Sequence, residues 1–455
     1  MAPSLQDPTK VDRMPDCCER HPHLKQTDPD LHALLEKQIE AESTTLKMIA
    51  SENYASFSVL EASGSILTNK YCEGYPAARY YEGNEVVDQI EQLAIDRAKE
   101  LFGAEHANVQ PYSGSPANQA VYRAVLKSGD KVMGMPVPEG GHLTHGWKVN
   151  FSGRDYTQIP YGPDPETGLL DFAKIRAIAL EERPKMIWVG ATAYPRKLEY
   201  EKFAEIAAEV DAYLVADIAH INGLIVAGVH PDPVPHCDMV SSTIHKMLRG
   251  PRAGFVLSKQ EDRYQEKYHP KSKFNLAKRV DRAVFPGLQG GPHMNTIAAM
   301  ATCFKEANTD EFRRYGAQVA ANAKHLAQSL LDRGVQLAGG GTDTHLLILD
   351  FRSAEFTGKD VAQALARAGI IGNFNMVPGD HRKPFVTSGV RLGTPALTSM
   401  GMKEPEMEKV AGWIHEVCQN MDDLDATTTR IRAEIAEFCG HFAIPGIRDA
   451  APATS

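Results

Sequence analysis

Residues 184–221 read "PKMIWVGATAYPRKLEYEKFAEIAAEVDAYLVADIAHI" and set two apolar runs around one amphipathic segment. "PKMIWVGATAY" and "AYLVADIAHI" have strand length and almost no alternation, the pattern of strands buried on both faces of a parallel sheet. Between them "EKFAEIAAEV" carries apolar residues at helical spacing. The three segments form a βαβ unit with an expected right-handed crossover.

The alternation continues upstream. In "IEQLAIDRAKELFG", Ile90, Leu93, Ala94, Ala98, Leu101 and Phe102 fall on one helical stripe, with Gly103 as the C-terminal cap. "ANQAVYRAVLKSGD" predicts a second helix ending near Gly129, followed by the short strand "KVMGM". Leu31–Met48 predicts an amphipathic helix behind a loose arm over residues 1–30. From about 311 the texture changes: a long helix in "FRRYGAQVAANAKHLAQSLLDRG", a strand in "THLLILDF", a helix in "GKDVAQALARAGI", a strand in "GVRLGTP" and a helix in "EPEMEKVAGWIHEVCQNM". The expected division is an N-terminal arm and helix (1–54), a large α/β domain (55–310) and a smaller C-terminal α+β domain (311–455).

At roughly 150 residues per domain, 455 residues suit two or three domains. Hydrophobic residues make up 43%, enough for a sizeable core. Lys plus Arg number 49 against 58 Asp plus Glu, a net charge of −9. That balance disfavours nucleic-acid and anionic-membrane partners. No apolar run approaches the ~18 residues of a membrane span. No secretory signal is expected. Seven scattered cysteines, the adjacent Cys17-Cys18 among them, form no CxxC pair. Reduced thiols in a cytoplasmic protein are expected, with no metal site. There are no repeats, and the only biased segment is a small-residue tail at 450–455.

Ligands of open α/β sheets sit at the C-terminal ends of the strands. Asp217 ends one apolar run, and His220 follows it. Lys246 comes 29 positions after Asp217, about one βα step, behind Ser241, Ser242, Thr243 and His245. A lysine among polar donors suits Schiff-base chemistry, because burial favours its nucleophilic neutral form. Pyridoxal 5'-phosphate (PLP) needs this pair: a lysine to carry it and an aspartate for its pyridine nitrogen. "YSGSPAN" supplies Ser113, Gly114 and Ser115 before a helix, a phosphate cradle. His142 and His145 in "EGGHLTHG" suit a weak metal motif or a flat ring over the pyridine. Arg391 in "TSGVRLGTPA" can hold a carboxylate bidentately. Each has a plainer reading: a helix-capping Asp, a solvated Lys, a serine N-cap and a structural ion pair. Their order along the chain suits a PLP enzyme acting on an amino acid.

From about 35 to 420 the chain resembles serine hydroxymethyltransferases. The matching stretches include "IASENY", "LTNKYCEGYPAARYY", "GGHLTHG", "HKMLRGPRAG", "AVFPGLQGGP" and "PFVTSGVRLGTPA". The resemblance implies a type I PLP-dependent, aspartate-aminotransferase-like α/β fold. It implies a large, mostly parallel α/β domain, a smaller C-terminal α+β domain, and a homodimer or tetramer with shared active sites. By resemblance Lys246 carries PLP covalently. Ser113, Gly114, Ser115, Thr192, Thr243, His245 and Gly291 of the neighbouring subunit hold it. His142 stacks on its ring, Asp217 pairs the ring nitrogen and His220 meets the ring hydroxyl. Ser51, Tyr71, Tyr81 and Arg391 bind the amino acid, with Tyr81 coming from the neighbouring subunit. Glu73 is the acid/base, and His142, Asp217, His245 and Tyr81 join Lys246 and Glu73 in the catalytic set. Tyr80, Val137, Gly141, His142, Leu143, Asn375, Pro384 and Phe385, with Phe285 of the neighbouring subunit, line the tetrahydrofolate site. The implied reaction interconverts serine and glycine, with one-carbon transfer to tetrahydrofolate.

Eight positions depart from the usual pattern: Glu82, Tyr112, Pro116, Asn222, Ile244, Ala253, Phe374 and Lys383. They open two alternatives within the family, the same chemistry on 2-methylserine and alanine, or a folate-independent aldolase. A third alternative, a catalytically silent regulator, is opposed by the presence of Lys246, Asp217 and Glu73.

Overall fold

A computed structural model describes residues 21–447. The Cys17-Cys18 pair and the 450–455 tail lie outside the described residues. Seven strands build the main sheet: β1 (His106–Asn108), β2 (Lys131–Gly134), β3 (Thr157–Pro160), β4 (Met186–Val189), β5 (Tyr213–Asp217), β6 (Met239–Thr243) and β7 (Gly254–Ser258). Their order is β1-β7-β6-β5-β4-β2-β3. The predicted βαβ unit is present: Met186 lies opposite Tyr213 in parallel register, and the helix Tyr200–Glu209 connects the two strands. Only β7 runs antiparallel, against both β1 and β6. Every residue of β4 and β6 is buried, which is why these strands read as continuous apolar runs.

A second sheet orders β8 (Leu346–Asp350), β10 (Gly389–Gly393) and β9 (Asn373–Asn375) antiparallel. Two large apolar core regions result. One covers the two faces of the main sheet; the other packs the helices Gly358–Arg367, Glu404–Gln419 and Leu424–Cys439 on the small sheet. The helix Asp310–Asp332 belongs to both. Its Phe312 and Val319 pack in the first core, Leu326 and Leu330 in the second.

Four local expectations are corrected. Residues before 31 are not all a loose arm, since Pro22–Thr27 is helical and Asp28 caps the next helix by accepting from Leu31 N–H. That helix, Pro29–Ser43, stops short of Met48: Leu46-Lys47 instead pair with Ile370-Ile371, and Met48 is buried in the second core. The helix predicted to reach Gly129 ends at Val125, because Leu126 turns extended. In the helix Glu85–Phe102, Leu93 is 44% exposed and Glu91 takes the buried stripe. Gly103 caps that helix as expected, at φ 63°.

Candidate active site

The C-terminal ends of the parallel strands open into one cavity of about 540 Å³. Ser113–Ser115 follow β1, His142 and His145 follow β2, and Thr192 follows β4. Asp217 ends β5, and Lys246 lies three residues beyond β6. Arg391 enters from the middle of β10, and Ser51 from the segment that follows the helix Pro29–Ser43 and the short strand Leu46-Lys47. The cavity therefore joins both sheets.

Ser113 begins the helix Gly114–Val125 in extended conformation, and its side chain makes no cap bond. The plain N-cap reading fails, and the first N–H groups of the helix are left for an anion. A Cβ at Gly114 would come 2.7 Å from Thr243 Cγ2, so only glycine permits this approach. Beside it, Thr243 Oγ1 and His245 Nδ1 are buried without partners. Orphaned polar atoms around a helix N-terminus fit a phosphate-bearing group.

Asp217 does not cap a helix, for the next one starts at Asn222. Its Oδ1 accepts from Ala219 N–H at 3.1 Å. Its Oδ2 accepts from Asn118 Nδ2 at 2.9 Å and pairs with His145 Nε2 at 3.0 Å. Burial alone would raise this carboxyl, yet the hydrogen bond and charge of His145, with Asn118, hold it well below the usual range. A carboxylate kept ionised there fits a protonated pyridine nitrogen. The donor atoms of His142, His145 and Asp217 lie within 4.8 Å of one another. His145 and Asp217 bond each other directly, and His142 Nδ1 bonds Thr144 Oγ1 at 2.7 Å. Burial pushes His142 down to about 4, leaving a neutral flat ring.

Lys246 lines the cavity, and burial pushes its amine down to about 8, with Asp217 pulling the other way. It is not a solvated loop lysine. Arg391 has no carboxylate partner among the described residues. It donates to Thr192 O at 2.6 Å and to Asn373 Oδ1 at 3.0 Å. A buried guanidinium so placed is open to an anionic ligand.

The cavity gathers Ser51, Ser113, Gly114, Ser115, His142, Thr192, Asp217, His220, Thr243, His245, Lys246, Asn375 and Arg391. Other expected residues lie elsewhere in this chain. Tyr71 and Gly291 line a separate hollow with Tyr112. Glu73 Oε2 accepts from Tyr81 Oη at 2.9 Å, close to Gly290. Tyr80 packs edge-on against Phe285 at 5.7 Å. Ile66, Tyr71, Tyr80, Tyr81 and Val86 are large apolar side chains left exposed in this region. Val137, Gly141, Leu143, Pro384 and Phe385 do not line the cavity, and Phe385 is 84% exposed. The sequence reading missed Asn118, Asn373 and Arg252, all in the cavity wall. For Asn118 the available signal was its position one turn inside the helix that Ser113 starts.

The sequence model of the family described as serine hydroxymethyltransferase matches residues 24–414. The chain belongs to the serine hydroxymethyltransferase family. "Serine hydroxymethyltransferase 2" of Mesorhizobium japonicum is 63% identical over 94% of this chain and 97% of its own length. The serine hydroxymethyltransferases of Sorangium cellulosum and Acidothermus cellulolyticus are each 51% identical, over 93% of this chain and 97% of theirs.

Within this family member, the eight departures avoid the cavity lining. Ile244 and Ala253 are buried in the first core, and Asn222 donates to Ser242 Oγ and Thr243 O. Tyr112 stacks on His293 and donates to Gly291 O. Asn222, Ile244 and Ala253 are buried, and nothing in the cavity lining itself favours a 2-methylserine substrate.

Proposed function

We propose that the protein is a PLP- and tetrahydrofolate-dependent hydroxymethyltransferase that interconverts serine and glycine and moves the one-carbon unit to and from tetrahydrofolate. The observation that carries this reading is the cavity in which Lys246, Asp217 and Arg391 meet beneath an uncapped helix N-terminus. Bound PLP supplies an electron sink conjugated to the amino acid's Cα.

The chain's residues divide the remaining work. Lys246, with an amine pushed down to about 8, offers a neutral nucleophile for cofactor attachment near neutral pH. Ser113, Gly114, Ser115, Thr243 and His245 would hold the phosphate. Asp217 would pair with the ring nitrogen, His142 would cover the ring, and His220 would bond its hydroxyl. Arg391 and Ser51 fix the substrate carboxylate, with Thr192 holding the Arg391 fork in place. Glu73, hydrogen-bonded to Tyr81, takes and returns the proton of the substrate hydroxyl. Tyr80, Val137, Gly141, Leu143, Phe285, Asn375, Pro384 and Phe385 receive the folate.

The distance of Glu73, Tyr81 and Gly291 from the cavity supports a homodimer in which the partner subunit completes the site. The two cores support the division at about 310, with the helix Asp310–Asp332 spanning it. No helix among the described residues is long and apolar enough to cross a membrane. A cytoplasmic location fits the buried thiols of Cys72, Cys237 and Cys303.

Glycine formation from L-serine, with and without tetrahydrofolate, tests the reading. Wild-type protein should turn over many times, and only with folate. Lys246→Ala should lose multiple turnover while keeping its fold by circular dichroism. Full turnover by Lys246→Ala would overturn the assignment.

A further inference from the structure

His220 follows β5 of the main sheet and His345 precedes β8 of the second sheet, yet their rings meet at the back of the cavity. His220 Nδ1 lies 3.3 Å from His345 Nε2, with the centroids 5.5 Å apart. His220 lines the cavity and is 4% exposed; His345 is fully buried. His345 immediately precedes β8, and its carbonyl accepts from Thr394 N–H just after the strand of Arg391.

Two buried imidazoles in contact must share a single hydrogen between the facing nitrogens. Burial comes first in keeping both rings neutral, and the Lys246 and Arg391 cations reinforce it. Each ring then carries one N–H. His345 Nδ1 is buried and makes no hydrogen bond. Of the two facing nitrogens one donates and the other accepts, so the tautomer of His345 sets which hydrogen-bonding role His220 Nε2 presents to the cavity.

We infer that His345 is a positioning residue that fixes the tautomer and orientation of His220 from behind the cavity. Its backbone is tied to the end of the Arg391 strand through Thr394 N–H. The histidine pair therefore links the cofactor wall to the substrate-carboxylate wall. This rests on the reading of the cavity as a PLP site.

Equilibrium dialysis of PLP against apoprotein reads the effect without an activity assay. His345→Leu should weaken PLP binding on the order of tenfold, because it strands the buried Nδ1 of His220. His345→Gln can place an amide group where Nε2 was and should recover most of that loss. His345→Asn puts its amide nearer the Nδ1 position and should recover less. In a His220→Asn background, His345→Leu should change affinity less than twofold. An equal loss in that background would show that His345 acts by general packing, and the inference would fall. Asn outperforming Gln would overturn the contact through the Nε2 position, a comparison that survives if the Leu variant does not fold. Wild-type apoprotein that binds no PLP would remove the cofactor reading itself. Wild-type binding with unchanged variants would remove only the role of His345.

Discussion

Arg391 is held by two oxygens, Thr192 O and Asn373 Oδ1, and neither belongs to a charged group. Such a cradle aims the guanidinium without neutralising it, so the positive charge stays available to a substrate. Asn373→Ala removes one of the two guides. The KM for the amino acid should rise about threefold to tenfold, the worth of one net hydrogen bond, while PLP affinity stays unchanged. Steady-state kinetics beside a PLP titration checks this; a change in PLP affinity with constant KM would count against it. Lys246, Asp217, Ser113–Ser115 and Arg391 were legible in the sequence because their types imply chemistry in a given context. Asn118, Asn373 and His345 were not. A neutral amide or a buried imidazole shows its role only once its partner, roughly 20 to 125 residues away in the chain, is known.

At the scale of elements, the helix Glu85–Phe102 and the short Gly74–Tyr75/Ala78–Arg79 hairpin are locked by one arginine. Arg79 bonds Asp88 at 2.8 Å and Glu91 at 2.5 Å, and it donates to Cys72 O and Gly74 O on either side of Glu73. Glu91 also accepts from Gln110 Nε2 at 2.7 Å. Its side chain is 1% exposed and that of Arg79 is 4% exposed. Arg79→Ala would leave a buried carboxylate without its cation and should cost about 3–5 kcal/mol. Arg79→Met combined with Glu91→Leu should cost less than Arg79→Ala alone. Urea unfolding of the three proteins decides it; a double variant weaker than the single would refute the explanation. This knot also explains the misread stripe. Apolar spacing put Leu93 inside, but the helix rotates to bury Glu91 against an arginine that periodicity does not register. The fully buried strands, in contrast, announced themselves by composition. The two-residue pairing of Leu46-Lys47 with Ile370-Ile371 had no such signal, since so short a strand is specified only by its distant partner.

For the molecule as a whole, the exposed aromatic surface around Tyr71, Tyr80 and Tyr81 is the face that a second subunit should cover. If Glu73 and Tyr81 serve the partner's cavity, two different inactive subunits can together make one working site. Lys246→Ala mixed with Tyr81→Ala should regain up to about a quarter of wild-type activity, since half of a random mixture is hybrid and each hybrid holds one intact site. Absence of recovery, with subunit exchange shown by native mass spectrometry, would place all the groups within one chain.

Strand β1 has a single neighbour in the main sheet, β7, and the two are separated by nearly 150 residues of chain. On the ribosome, at about 5–20 residues per second, β1 waits on the order of 7–30 s before its partner is made. Throughout that interval an unpaired edge and the apolar side of the helix Glu85–Phe102 stand open. The nascent chain thus passes through an interval in which that edge is open to other chains, and the interval closes when Gly254–Ser258 slots between β1 and β6.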